Sequence, residues 1–448
     1  MWANNWFSSF LLALSVIFFT AGCMTLLTQS SQESGGGYTP SKNDTGAEGP
    51  VTDREKGSRS EVGAISTGAR GAKAKTEAPS VPTFTEPEVV RGIYVTAPSA
   101  GGRKFPELVE LVAKSKLNAM VIDIKDDDGH ITYPLADNEL TPFVKPYIKN
   151  PEQLMQTLSE NDIYPIARIV VFKDTVLAKK KPEWSFSQGE NVWRSANGEA
   201  FVNPYLREVW EHNVAVAKQA AALGFKEIQF DYVRFPEGFE TFGDSLTFER
   251  GTYASVQDPL KARVKAVTDF VAYAKKELAP YAIDVSVDIF GYAATVPAAS
   301  GIGQDFSAIS AHVDVISSMI YPSHWGFGNF GLAKPDLEPY ALVMQYVVRE
   351  KEKLLLVKNP PRSRPWLQDF TATYLGAGNY IPYGKTEVEA QIRALNEAGI
   401  KEFLLWNAAN DYTPDVNYTP ALDEARQQAI RREDRERLDE NKGKRKAD

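Results

Sequence analysis

The run Glu227-Ile-Gln-Phe-Asp231-Tyr-Val-Arg234-Phe-Pro236 sets a carboxylate inside an otherwise apolar, strand-like segment. Alternation with a period of two puts Gln229 and Asp231 on one face and Phe230 and Tyr232 on the other. Burying a carboxylate is costly unless it is paired or at work on a substrate. Two readings therefore stand for Asp231: an ion-pair partner of Arg234 or another base, or a reactive group. A second run, Ile283 to Gly291, carries Asp284, Ser286 and Asp288 on one face, with Asp288 nearest its end. The plain alternative for Asp288 is a turn cap before Gly291. Neighbouring parallel strands lie about 4.8 Å apart, so Asp231 and Asp288 could reach one sugar ring. Carboxyls about 5–5.5 Å apart suit a retaining glycosidase, and about 6.5–9.5 Å an inverting one. One would serve as nucleophile or base. The other must stay protonated as an acid, which burial and a like charge nearby favour.

Other strand ends carry polar groups too. Val121-Ile-Asp123-Ile-Lys125-Asp126-Asp127-Asp128-Gly129 offers Asp123 and Lys125 on one face, where they could form a neutral buried pair. The three aspartates that follow look calcium-like, but Ile124 stands where an EF-hand needs its first ligand, so an acidic turn at Gly129 is expected. A third strand offers Arg168, then Lys173 and Asp174. A sixth ends Tyr321-Pro-Ser-His324-Trp325, and an eighth reads Leu404-Leu-Trp406-Asn407. Aromatic faces stack on sugar rings, and amides, guanidinium and carboxylates bind hydroxyls. Trp184, Trp193, Trp325, Trp366 and Trp406 are candidates, though aromatics also fill cores. The substrate-binding set expected from these positions is Asp123, Lys125, Arg168, Gln229, Arg234, Tyr321, His324, Trp325, Trp406 and Asn407.

Several chemistries find no support. The four histidines, His130, His212, His312 and His324, form neither H-x-H nor H-E-x-x-H, so no metal centre is expected. There is no G-x-S-x-G or G-x-x-x-x-G-K-[ST], and the turn after the first strand-like run, Pro98-Ser99-Ala100-Gly101-Gly102, does not fit G-x-G-x-x-G, which argues against a serine esterase and against nucleotide cofactors. No cofactor is expected. A formal net charge of −8 argues against nucleic acid as a partner.

Positioning these residues requires a regular frame. Strand-like runs at Gly92–Ala97, Ala119–Lys125, Tyr164–Phe172, Glu227–Arg234, Ala282–Gly291, Val313–Tyr321 and Glu402–Ala408 alternate with amphipathic helical patterns. A weak seventh run falls at Leu354–Val357 or Pro365–Phe370. Alternation implies a parallel sheet with right-handed crossovers. Eight units imply closure into a (β/α)8 TIM barrel, with an open doubly wound sheet as the alternative. In such barrels the site lies at the C-terminal ends of the strands, where the carboxylates above fall.

The barrel is expected to span residues 88–422. Ahead of it, Phe7 to Leu27 is uncharged and mostly apolar and contains Thr20-Ala21-Gly22-Cys23, the only cysteine. This resembles a bacterial lipoprotein signal with Cys23 lipidated, although Thr20 stands where Leu is usual and no basic residue precedes the run. An uncleaved helix of about 20 residues or a cleaved signal are the other readings for 1–27. All three put the body outside the cytoplasmic membrane. Residues 28–87, rich in Ser, Gly, Thr, Lys and Glu, read as a flexible tether. Residues 423–448 read as a charged helix and tail.

Together, Glu227–Pro236, Asp288–Gly291, Val121–Asp128, Ala167–Asp174 and Leu404–Asn407 resemble a bacterial family of glycoside hydrolase-type barrel domains, over about Val90 to Leu422. The segment around Asp231 is also similar to the F-D-Y-x-R-[FY]-P strand of related glycosidase-like barrels. The resemblance implies hydrolysis of a polysaccharide. In similar α-amylase-like enzymes a fourth-strand Asp is the nucleophile, which Asp231 matches. A fifth-strand Glu is the acid there, a position Asp288 fills with a shorter arm. Other barrel glycosidases place Glu on strands four and seven, which this chain does not show clearly. The expected function is a glycosidase on an extracellular or envelope polysaccharide. The alternative is a non-catalytic glycan-binding envelope lipoprotein that keeps the groove.

Overall fold

The computed structural model describes residues 82–136 and 138–422, with Gln428 and Arg432. The expected anchor with Cys23, nearly all of the tether and the charged C-terminal segment lie outside these residues. Among the described residues no helix is long and apolar enough to cross a membrane.

Eight parallel strands form the barrel: β1 Arg91–Val95, β2 Ala119–Lys125, β3 Tyr164–Val170, β4 Glu227–Asp231, β5 Asp284–Phe290, β6 Val315–Met319, β7 Trp366–Gln368 and β8 Phe403–Trp406. Each pairs with its successor. β8 pairs with β1, and the ring closes between β6 and β7 through Met319 and Trp366. A two-residue strand, Arg362–Ser363, extends that closure along β6. The fold is a (β/α)8 TIM barrel. Between the strands run α1 Phe105–Ala113, α2 Pro151–Glu160, α3 Arg207–Leu223, α4 Pro259–Leu278, α5 Phe306–Ser310, α6 Pro339–Leu354 and α7 Lys385–Glu397.

The seventh strand occupies the second of its two expected places. Leu354 instead ends α6, and Leu355 and Leu356 are exposed. Helix boundaries follow local chemistry. Asp258 caps α4 by accepting the amides of Leu260 and Lys261, ahead of Pro259. Gly224, at φ 115°, closes α3 in the left-handed region. One stripe of α3, including Val209, Val216, Ala217 and Ala220, is buried against the strands.

The main core lies between strands and helices. A second, smaller cluster fills the barrel itself: Val90, Tyr94, Ala119, Val121, Tyr164, Ile166, Tyr321, Trp366 and Leu404. Against it stand buried polar side chains from β4, β5 and β6: Gln229, Ser286 and Ser317. Below the level of Asp123 and Arg168, the interior is thus apolar toward β8, β1, β2 and β3 and polar toward β4, β5 and β6. Asp231 and Asp288 stand at the upper end of that polar side.

Candidate active site

Asp231 is the last residue of β4, and Arg168 faces it from β3. The guanidinium donates to Asp231 Oδ2 from Nε at 2.9 Å and from Nη2 at 2.6 Å. Its Nη1 reaches Asp123 Oδ1 on β2 at 2.7 Å and Asp127 Oδ2 at 3.2 Å. Charge-assisted bonds of this kind fix a carboxylate's orientation. The other Asp231 oxygen, Oδ1, accepts the Tyr232 amide at 2.6 Å. Tyr232 has φ 51°, a strained value for a side chain with Cβ, of the sort found where a site over-determines the backbone.

Asp288 sits on β5, one strand along. Phe230 pairs with Val287, so the next residues, Asp231 and Asp288, share a level. Asp288 is buried and forms no ion pair among the described residues. Its Oδ1 accepts the indole N–H of Trp366, from β7, at 2.7 Å. Burial, and then the charge of Asp231, push its carboxyl well above the usual range. One carboxyl is thus tied to a guanidinium while the charged form of its neighbour is disfavoured.

Asp123 accepts the Tyr94 hydroxyl at 2.6 Å as well as Arg168. Burial, helped by the charge of Asp127, nevertheless raises it to about 6, although Arg168 and the Tyr94 hydroxyl pull the other way. At the rim, burial would raise Asp127, but Lys173 and Arg168 together hold it well below the usual carboxylate range. Lys173 lies 2.8 Å from Asp127, 3.4 Å from Glu199 and 4.1 Å above the Tyr232 ring. Tyr94 stacks on Trp406 with centroids 4.0 Å apart, and Arg168 lies 5.4 Å from both rings.

The structure brings Asp123, Arg168, Asp231, Asp288, Trp406 and Tyr321 to one end of the barrel. Tyr321 is raised by burial, then by Asp288 and Asp231. His324 packs edge-on against Tyr321 at 4.8 Å and is lowered by burial to about 4. Arg234 stands beside the cluster, over Tyr232 and Phe290, and pairs with Glu237 at 3.0 Å; Asp231 takes Arg168 instead. Gln229 lies one layer below, bonded to Ser317 at 3.3 Å.

Three expected residues go elsewhere. Lys125 does not pair with Asp123. A bulge between Asp123 and Lys125 breaks the alternation, and Lys125 turns to Asp174 at 2.6 Å and to Asn213 of α3 at 3.0 Å. Trp325 packs among Phe330 and Tyr346 of α6. The Asn407 amide is taken up by the carbonyls of Asp369 and Asp411, at 2.6 and 2.7 Å.

The acidic turn is divided in function. Asp126 Oδ1 caps it by accepting the amides of Asp128, Gly129 and His130, while Asp127 points to Arg168. Gly129, at φ 102°, presses so close to Asp174 that a Cβ would fall 1.9 Å from Oδ1. Ligand atoms of Asp126, Asp128 and His130 lie within 4.8 Å of one another, the one such group among the described residues. Sequence reasoning missed Tyr94, Asp127, Glu199 and the tie between Trp366 and Asp288. Only the acidic turn gave any signal for these. A shallow cavity of about 630 Å3 opens at the opposite end of the barrel, beside Asp284, Asp314 and Arg362. Its acids already pair with Arg362 and Lys275.

A closed barrel with buried acids at the C-terminal ends of its strands is an architecture that many classes of enzyme share. The chain belongs to the family described as "putative glycosyl hydrolase domain", whose model matches residues 92–412. No curated protein matches it. Among solved structures, the glycoside hydrolase domain of PgaB (BpsB) from Bordetella bronchiseptica is similar in fold. The identity is 15% over 73% of this chain and 96% of that one, with a TM-score of 0.52. A protein from Ruminiclostridium thermocellum is 30% identical over 44% of this chain and 96% of its own, with a TM-score of 0.38.

Proposed function

We propose that this barrel hydrolyses glycosidic bonds of an extracellular or cell-envelope polysaccharide, with Asp288 as general acid and Asp231 as its carboxylate partner. One observation carries the reading. Two carboxyls at the same level of neighbouring strands have opposite surroundings, Asp231 held by Arg168 and Asp288 buried without a cation. Environments that push two acids apart assign the acid and the base.

Asp288 gives its proton to the glycosidic oxygen as the C1–O bond breaks. Asp231 supplies the electron pair, either to C1 directly or to a water that it deprotonates. Arg168 holds Asp231 in place, and Trp406, backed by Tyr94, offers an aromatic face beside the pair. The placement outside the cytoplasmic membrane rests on the apolar run before Cys23.

The test is product release from a glycan panel that includes peptidoglycan and amylose-type polymers, by the protein and by Asp231→Asn. Release by the wild type alone is expected. Binding of a glycan with no release from any would replace the enzyme with a recognition module.

A further inference from the structure

We propose that Trp366 is the positioning residue of the proton donor: its indole N–H selects which oxygen of Asp288 carries the proton. The inference rests on the reading of Asp288 as the acid. An indole nitrogen donates and cannot accept. The carbonyl oxygen of a carboxylic acid accepts more strongly than its hydroxyl oxygen, so the oxygen the indole binds, Oδ1 at 2.7 Å, is favoured as the bare one while that bond is made. The transferable proton is thereby biased to Oδ2.

Trp366 is well placed to hold this choice. It is buried on β7, its ring edge-on to Trp406 at 5.5 Å and to Tyr94 at 6.5 Å. From there it spans β6 to reach Asp288 on β5. The same N–H has a second consequence. Once Asp288 gives up its proton, a negative charge appears beside Asp231, with Tyr321 also facing it, Glu227 acting from the lower end of the barrel and Arg168 the cation within influence. The indole bond favours that charged form and eases the transfer.

Trp366→Phe keeps an aromatic ring, though a smaller one, and deletes the donor. With 4-methylumbelliferyl and 2,4-dinitrophenyl glycosides as probes, kcat for the former should fall about tenfold or more, with KM little changed. The alkaline limb of the profile should move to higher pH. Dinitrophenyl glycosides, whose leaving group needs no acid, should be spared. An equal loss on both probes, or an unmoved alkaline limb, would reduce Trp366 to packing and overturn the proposal. Asp288→Asn is run alongside. If it keeps full activity on methylumbelliferyl glycosides, the reading of Asp288 itself falls.

A measurement on the wild-type protein decides the matter if the variant fails to fold or no glycoside is cleaved. One indole N–H resonance should shift as pH rises through the Asp288 titration and be static in Asp288→Asn. Eight tryptophan indoles that all stay fixed would overturn the assignment.

Discussion

Two arginines are fully buried inside this barrel, one at each end, and they do different things. Arg364, at the N-terminal end, donates Nη1 to both oxygens of Glu227 at 2.9 and 2.7 Å and Nε to Glu402 at 2.7 Å. Arg168, at the C-terminal end, binds Asp231, Asp123 and Asp127. The lower cluster joins β4, β8 and the approach to β7, and there each fully buried acid meets a guanidinium. The upper cluster leaves one buried acid, Asp288, beside it without a cation. Such barrels hold function at one end and stability at the other, and here the division comes down to how the acids are partnered.

The sharpest way to break the comparison is to change one acid at the top. Asp231→Asn should lower kcat by about 10⁴-fold and leave the unfolding temperature nearly unchanged, since Arg168 keeps Asp123 and Asp127. Glycan turnover and a thermal melt check this together. A large loss of stability with activity retained would move Asp231 into the structural group. Arg364→Met makes the reciprocal cut. It strands Glu227 in the barrel, and breaking a buried pair in this way costs about 3–5 kcal/mol. Urea unfolding should show that loss, while activity per folded molecule stays near wild type. Arg168→Met should destabilise less, because Asp123, already near 6, takes up a proton.

Asp288→Asn comes next. Hydrolysis of substrates with poor leaving groups should fall about 10²-fold or more, the range of general acid catalysis. Stability should move the other way. The folded state holds the Asp288 proton to a pH well above that of the unfolded chain, so ionisation opposes folding as pH rises past the ordinary carboxylate range. Asparagine accepts the same Trp366 bond with no such penalty. The variant should melt higher than wild type at pH 7, and the gap should close toward pH 4. A variant less stable at neutral pH would mean that Asp288 is charged and stabilised there.

Much of the upper end could be read from residue order. Alternation put Asp231 at a strand end, and the same argument served Asp288 and Arg168. It failed at Lys125, because one bulged residue turns a side chain from the barrel interior to the helix layer. It could not find the partners either. Arg168 meets Asp231 across a strand register, and Trp366 meets Asp288 across an intervening strand, neither of which is written in local sequence. The seventh strand was faint for a physical reason: three residues, bounded by Pro365 and preceded by Pro360 and Pro361, are too few to show alternation. Arg364 and Trp366 both lie there, so the lower cluster and the indole tie went unseen together. The acidic turn at Gly129 is legible in the run of three aspartates, but that Asp127 leaves it for Arg168 is not.

The smallest effect separates the two ends most finely, because each holds an acid titrating in the same window. Burial raises Asp123 at the top to about 6, and burial, followed by the charge of Glu227, raises Asp284 at the bottom to about 6. Both shifts have the same sign. Between the ordinary carboxylate range and pH 6 the folded state binds the extra proton, so each acid makes stability fall as pH rises through that window. Asp123→Asn and Asp284→Asn should each flatten that slope, and the double variant more than either, as read from melts at half-unit steps from pH 4 to 7. Activity should tell them apart. Asp123 shares Arg168 with Asp231, so Asp123→Asn should alter the acid limb of the pH–rate profile, while Asp284→Asn, tied to Arg362 at the far end, should leave it in place. A matching change in both profiles would mean that the two ends are coupled through the polar side of the barrel, and the division between them would fail.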